Sequence, residues 1–166
     1  MKVNLRTFTK IGLLQLYALI LDELRRRGVI RSTNNPVADY TEHLVTTRLG
    51  LSLLRGSSPG FDATDKKGLR YQIKSRRLTS ANRVANLGAI RNLQENPFDQ
   101  LIAVVYQSDF KIFFAVQISL KLVKKHSKFQ KHTNSWLLTV KESHLKIPGV
   151  VNLTKKLTEN KRGDIG

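Results

Sequence analysis

Residues 61–76, FDATDKKGLRYQIKSR, alternate in polarity twice around a short basic turn. The alternation predicts two strands, over 61–65 and 69–76, because successive side chains of a strand point to opposite faces. Gly68 follows Lys66 and Lys67 in the connection, where a tight turn needs a positive φ. This stretch therefore predicts a β-hairpin.

The two faces of this hairpin differ in chemistry. The apolar side chains that we expect to face the core are Phe61, Tyr71 and Ile73. Asp62, Gln72 and Lys74 then share the opposite face, where strand pairing brings them close together. Metal-assisted phosphodiester cleavage uses such groups: oxygen ligands for a hard cation and an ammonium group beside the phosphate.

The rest of the chain predicts helices and further strands around this hairpin. The predicted elements are helices over 9–27, 36–49 and 80–93, strands over 101–106 and 112–116, and, from weaker patterns, a helix over 119–126, a strand over 136–140 and a helix over 152–160. The evidence for the helix over 80–93 is a stripe of Val84, Leu87, Ile90 and Leu93. This order predicts an α/β chain with a mixed β-sheet flanked by helices on both faces, in a single domain over 1–166.

The hairpin and its surroundings resemble the PD-(D/E)XK nuclease superfamily, the fold of many restriction endonucleases. SPGFD at 58–62 resembles the family's Asp motif, and QIK at 72–74 resembles its (D/E)XK motif in the QXK variant. The resemblance covers residues 36–116. We place a restriction-endonuclease-like core at 36–118, with the N-terminal helix 9–27 and a basic C-terminal extension, 119–166, as additions.

The resemblance implies a Mg²⁺-dependent DNA endonuclease of restriction or defence type, with Mn²⁺ as a substitute. Asp62 and Gln72 match the metal ligands, and Lys74 matches the catalytic lysine. Glu42, in the helix over 36–49, matches a glutamate that often leans into the family's site, so it is a further catalytic and metal-ligating candidate. Gln72 replaces the usual acid: its amide oxygen can coordinate a hard cation but brings no charge, which Glu42 would have to supply.

The charge of the chain favours a nucleic-acid partner. Lys and Arg number 29 against 12 acidic residues, a net charge of +17, and phosphates relieve such self-repulsion. Eight cations and no acid lie between residues 66 and 91. We expect duplex DNA rather than RNA as the partner. The predicted nucleic-acid contacts are Lys66, Lys67, Arg70, Arg76, Arg77 and Arg83.

Several alternatives stay open at the level of sequence. The chain could be a non-catalytic DNA- or RNA-binding module on a nuclease-like fold, or an RNA-associated basic protein unrelated to nucleases. Asp62 could cap a turn, and Asp39 and Asp65 compete with it as carboxylates. Phe129 and Trp136 could stack on bases or cover the core.

Composition excludes other classes of site. Without cysteine there is no disulfide, thiolate nucleophile or Cys-type zinc site. The longest apolar stretch, 11–21, is too short to cross a bilayer, and the acids and arginines that follow it do not resemble a cleavage site. We therefore expect a cytoplasmic protein without membrane association. A homodimer would let the protein cut both strands of a duplex.

Overall fold

The computed structural model describes residues 3–54 and 60–159. By internal contacts the chain forms two compact units, one ending at Tyr40 and the other starting at Thr41. Residues 55–59, which include the first two residues of the SPGFD motif, lie outside the described residues.

The first unit contains helix α1, Lys10–Arg26, which confirms the helix predicted over 9–27. Thr9 caps it by accepting a hydrogen bond from the Gly12 amide on its side-chain oxygen. The apolar residues Leu14 and Leu19 of α1 are 64% and 65% exposed. No helix in the described ranges is long and apolar enough to cross a membrane.

Helix α2, Val37–Leu49, begins in the first unit and continues into the second. The other elements of the second unit are β1 (Ser52–Leu53), β2 (Ala63–Thr64), β3 (Arg70–Arg77), β4 (Gln100–Tyr106), β5 (Ile112–Ser119), α3 (Leu120–His126), β6 (Lys128–Gln130), β7 (Ser135–Leu137), β8 (Val151–Asn152) and α4 (Thr154–Thr158). Six strands form one sheet in the order β1-β2-β3-β4-β5-β8, and β6 pairs with β7 in a separate hairpin. β3 and β4 are parallel and the other neighbours antiparallel, so the predicted α/β class with a mixed sheet is confirmed.

One face of the sheet carries the largest apolar cluster. Leu101, Ala103 and Val105 of β4 belong to this cluster and are fully buried. In the parallel ladder they are the partners of Gln72, Lys74 and Arg76 of β3. Because paired residues point to the same face, the polar face of β3 and the main core lie on the same side of the sheet.

The opposite face is covered by α2. The hydroxyl groups of Thr41 in α2 and Tyr106 in β4 are hydrogen-bonded over 3.0 Å, and both residues are fully buried. Val45, one helical turn further on, is also fully buried. The contact fixes the helix at Thr41 against β4.

The helix predicted over 80–93 is wrong. Residues 80–92 are irregular, and a single 3-10 turn follows at Leu93–Glu95. The segment forms backbone hydrogen bonds with residues in and just after β7: the Leu87 and Ile90 amides donate to the carbonyls of Leu138 and Trp136. Three residues of the predicted stripe are buried as expected, but Val84 is 50% exposed. Neighbouring asparagines and a glycine have low helix propensity, so the segment satisfies its backbone by pairing instead.

Candidate active site

Asp62 and Gln72 meet across the β2–β3 hairpin. Ala63 is the register partner of Tyr71, which makes Asp62 and Gln72 the next cross-strand pair. The Gln72 side-chain Nε2 donates to Asp62 Oδ2 over 2.5 Å, and the Ile73 amide donates to the same oxygen over 2.6 Å. The predicted shared face of these two residues is therefore observed as a direct contact.

Lys74 lies two residues further along β3 and lines a cleft with Gln72. Its ammonium group donates to the Ala89 carbonyl over 3.3 Å, a long hydrogen bond. The cleft has a volume of about 600 Å³, and Gly60, Arg91 and Asn92 are among its other lining residues. We call it the Lys74 cleft.

Phe61 does not lie where the alternation predicted it. It packs against the main apolar cluster and lines the Lys74 cleft with Gln72, instead of sharing the face of Tyr71 and Ile73. The regular part of β2 is only Ala63–Thr64, so strict alternation does not extend back to Phe61. The contact between Asp62 and Gln72 is unaffected by this change.

The two competing carboxylates have structural roles. Asp65 closes the hairpin turn: its Oδ1 accepts from the amides of Lys67 and Leu69 over 2.8 and 2.9 Å. Asp39, in the first unit, accepts from the Arg31 and Ser32 amides over 2.8 and 2.7 Å. Asp62, in contrast, accepts a hydrogen bond from the side chain of Gln72 on the polar face of β3. This contact favours Asp62 over Asp39 and Asp65 as the carboxylate of the site.

Glu42 follows Thr41 in α2 and is half-buried. The hydrogen bond of Thr41 to Tyr106 places this turn of α2 over the face opposite to Lys74. A role for Glu42 at the site would require its side chain to reach around the sheet edge toward Asp62, and it stays a prediction.

The predicted phosphate contacts fall into different environments. Lys66 and Lys67 are exposed in the hairpin turn, and Arg83 is exposed in the segment after β3. Arg76 lies on the Lys74 face, and its buried Nε has no hydrogen-bond partner among the described residues. Arg77 lies on the other face, where its guanidinium group stacks 4.7 Å from the centre of the Phe110 ring.

Arg70 is held by an acid that the sequence did not single out. Its side-chain Nη2 and Nε donate to Asp99 Oδ1 and Oδ2 over 2.9 and 3.1 Å, and its amide donates to Oδ2 over 2.9 Å. The hydrogen bonds from Arg70 lower the pKa of Asp99 below its usual value. The charge of Arg70 is therefore largely balanced within the protein. In the sequence, the available indication of the Arg70–Asp99 ion pair was the acidic residue directly before the apolar strand β4.

Glu95 and Asn92 also line the Lys74 cleft, and sequence reasoning missed both. The helix predicted over 80–93 would have included Asn92 in its last turn and left Glu95 beyond its end. In the structure Asn92 directly precedes a short 3-10 turn and lies in the left-handed region at φ 51°, and Glu95 is the last residue of that turn. Asparagine tolerates this conformation better than most residues, and its position before a buried leucine was the available signal.

The residues at the site fit a hard divalent cation in their chemistry. Asp62 supplies carboxylate oxygen, and rotating the Gln72 carboxamide would turn its carbonyl oxygen toward Asp62 in place of its NH₂ group. The neighbouring cleft has room for the waters that Mg²⁺ retains. Over residues 3–54 and 60–159, no group of three or more His, Cys, Asp or Glu side chains is placed to hold a metal.

Comparison with known proteins adds no family to this description. No family model matches the chain, and no curated protein matches it.

Proposed function

We propose that this protein is a Mg²⁺-dependent DNA endonuclease of the PD-(D/E)XK type, in its QXK variant. The observation that carries the proposal is the 2.5 Å contact between Asp62 and Gln72 on the β3 face that also presents Lys74 to an open cleft. A carboxylate, an amide and a lysine beside a phosphate-sized opening are the groups that this chemistry needs.

The topology supports the same proposal. A helix precedes three antiparallel strands, β1, β2 and β3, and a crossover then leads to a fourth strand parallel to the third. This is the element order that the resemblance implies, except that the crossover is irregular rather than helical. The finer assignment to a restriction-endonuclease-like core rests on this order and on the site residues.

In the proposed reaction Asp62 and Gln72, with Glu42 as a further candidate, would hold the Mg²⁺ ion. The chemistry that the bound ion would supply is a lowered pKa for a water molecule and compensation for the charge of the phosphate. Lys74 exchanges its long hydrogen bond with the Ala89 carbonyl for a phosphate oxygen and stabilises the charge that develops there. A bond forms between the water oxygen and phosphorus, and the water gives up a proton to solvent. The bond from phosphorus to one sugar oxygen breaks, and the released sugar oxygen takes up a proton from solvent.

Arg91 and the exposed lysines of the hairpin turn supply the electrostatic attraction. Arg91 lines the cleft, and Lys66 and Lys67 project from the turn between β2 and β3. With a net charge of +17, the protein is expected to bind DNA with a steep dependence on salt. A homodimer and a role in restriction or defence belong to the same proposal and stay predictions.

The test is cleavage of supercoiled plasmid DNA in Mg²⁺ or Mn²⁺. Asp62→Ala should abolish nicking, and Lys74→Ala should slow it about 10²–10³-fold, the usual effect of removing a group that stabilises the transition state. Lys111→Ala is the matched control, because Lys111 is exposed in the connection between β4 and β5 and does not line the cleft. Cutting by the Asp62 and Lys74 variants at the parent's rate would overturn the assignment.

A second candidate function is a non-catalytic nucleic-acid-binding module on the same fold. The observation that favours it is that protein donors, Gln72 Nε2 and the Ile73 amide, already satisfy one oxygen of Asp62. Salt-dependent binding without cleavage in any divalent metal would support this alternative. Preference for structured RNA over duplex DNA in the same assay would identify an RNA-associated protein instead.

A further inference from the structure

A second cavity adjoins the Lys74 cleft. It has a volume of about 530 Å³ and shares Asn92 and Glu95 with the cleft. Two aromatic residues of the β6–β7 hairpin, Phe129 and Trp136, complete its apolar lining together with Leu93. We call this cavity the Trp136 pocket, and the two shared lining residues place it next to the Lys74 cleft.

The aromatic pair is rigid on one side and open on the other. The rings of Phe129 and Trp136 lie 5.4 Å apart at 56°. Trp136 packs against the main apolar cluster, and its backbone exchanges two hydrogen bonds with Ile90, of 2.8 and 2.9 Å. Phe129 is 50% exposed. A fixed ring beside an exposed ring is suited to stacking on a flat aromatic ligand.

Carboxamide groups surround these rings. The side chains of Asn92, Gln94 and Asn134 line the pocket, and each carries a donor and an acceptor, as the edges of nucleobases do. Within residues 3–54 and 60–159 these three amides make no hydrogen bond to the protein. Fully buried Leu93 anchors the turn between the first two.

Positive charge is close to Phe129 along the chain as well. Lys128 and Lys131 are exposed and lie within two residues of Phe129. Their charge favours a ligand that carries phosphate groups. An uncharged aromatic ligand would gain nothing from these lysines, whereas a strand of nucleic acid would.

We propose that the Trp136 pocket binds one unpaired nucleobase of the DNA whose backbone lies in the Lys74 cleft. The proposal rests on the proposed function for the position of that backbone. Stacking on Trp136 and Phe129 supplies affinity, and the three carboxamides contact the edge of the base. The base comes from single-stranded DNA or from a nucleotide turned out of a duplex.

The chain's one tryptophan is a direct reporter of this event. In EDTA, where the proposed cleavage is blocked, an oligothymidine should quench the fluorescence of Trp136. An abasic oligomer of the same length should bind through its phosphates without quenching, as fluorescence anisotropy of a labelled end would show. Equal quenching by both oligomers, or none by either while both bind, would overturn the proposal.

Phe129→Ala tests the pocket without disturbing the core. It should weaken binding of oligothymidine at least about fivefold and leave binding of the abasic oligomer unchanged. Phe113→Ala is the matched control, because Phe113 is 41% exposed on β5 and lines a different cavity. Equal effects of the Phe129 variant on both oligomers would contradict base stacking.

A fully paired duplex and the same duplex with one extrahelical thymine identify the source of the base. Quenching by the second alone indicates a turned-out nucleotide, and quenching by single strands alone indicates single-stranded DNA. Failure of the pocket is distinguishable from failure of the nuclease assignment. Quenching without cleavage in Mg²⁺ overturns the enzyme and supports the pocket, whereas cleavage without quenching does the reverse.

Discussion

Gln72→Glu is the most direct test of the proposed metal ligands, because it places the acid that is usual in the motif beside Asp62. In the parent, Gln72 Nε2 donates to Asp62 Oδ2 over 2.5 Å. The variant replaces this charge-assisted hydrogen bond, of about 1.5–3 kcal/mol, with two carboxyl groups in contact. Without metal the folded state should therefore be less stable than that of the parent.

The size of the penalty has an upper limit. A repelled carboxyl group can bind a proton, and raising its pKa from about 4.3 to 8 costs roughly 5 kcal/mol at 1.36 kcal/mol per unit. Both side chains are half-buried, so water screens part of the repulsion. At pH 8 in EDTA we expect the free energy of unfolding to fall by about 2–4 kcal/mol relative to the parent.

The penalty should depend on pH and on metal with definite signs. The folded variant holds a proton that the unfolded chain has released, so its deficit grows as the pH rises above about 4.3 and is smaller at pH 5 than at pH 8. A divalent cation between the two carboxylates removes the repulsion. Mg²⁺ should therefore stabilise the variant more than the parent.

Urea unfolding monitored by circular dichroism, at pH 5 and pH 8, with EDTA or with Mg²⁺, measures all of these effects. Gln117→Glu is the control: Gln117 is also a half-buried glutamine in a strand, on β5. Equal stability of the Gln72 variant and the parent in EDTA at pH 8, or an equal gain from Mg²⁺, would refute the contact with Asp62 as the centre of a metal site.

Three further predictions concern the surroundings of the site. Lys66→Ala and Lys67→Ala should each weaken DNA binding and make the plot of log affinity against log salt concentration less steep, by about 1 in slope. Anisotropy titrations at several salt concentrations measure this slope, which stays unchanged if these lysines make no phosphate contact. Leu93→Ala should lower the free energy of unfolding in urea by about 2–5 kcal/mol, because Leu93 is fully buried. Val84→Ala is the control, because Val84 is 50% exposed. Equal losses of stability in the two variants would contradict the irregular packing of residues 80–95. The pKa of Asp99 is lowered in the folded state, so its ion pair with Arg70 stabilises the protein above about pH 4, and this stabilisation is lost as the pH falls through the lowered pKa. In thermal unfolding, the melting temperature of Asp99→Asn should therefore fall less at acid pH than that of the parent. An identical fall in both proteins would refute the ion pair.

Local patterns in the sequence were sufficient to predict the hairpin and the shared face of Asp62 and Gln72. They placed the core on the opposite side, with Tyr71 and Ile73, whereas the main apolar cluster lies on the same side of the sheet as Gln72 and Lys74. Alternation of polarity within each strand predicts which side chains share a face, and the length of the turn sets which residues lie opposite each other. Together they predict the contact between Asp62 and Gln72. The buried run that became β4 was equally clear, since a strand covered on both faces needs apolar residues throughout.

The errors arose where distant parts of the chain decide the structure. Residues 80–92 have apolar spacing typical of a helix, yet Leu87 and Ile90 bond to backbone about 50 residues later. The Trp136 pocket follows from that pairing, because it brings Asn92 beside Trp136. The partnership of Arg70 with Asp99 likewise depends on the parallel alignment of β3 and β4, which no local pattern specifies.

We propose that Asp62 and Gln72 hold a divalent cation at the Lys74 cleft, and anomalous diffraction from a crystal soaked in Mn²⁺ is the decisive experiment. We expect an anomalous peak within bonding distance of an Asp62 carboxylate oxygen and of the Gln72 amide oxygen. A metal bound elsewhere, or an Asp62–Gln72 hydrogen bond unchanged in Mn²⁺, would contradict it.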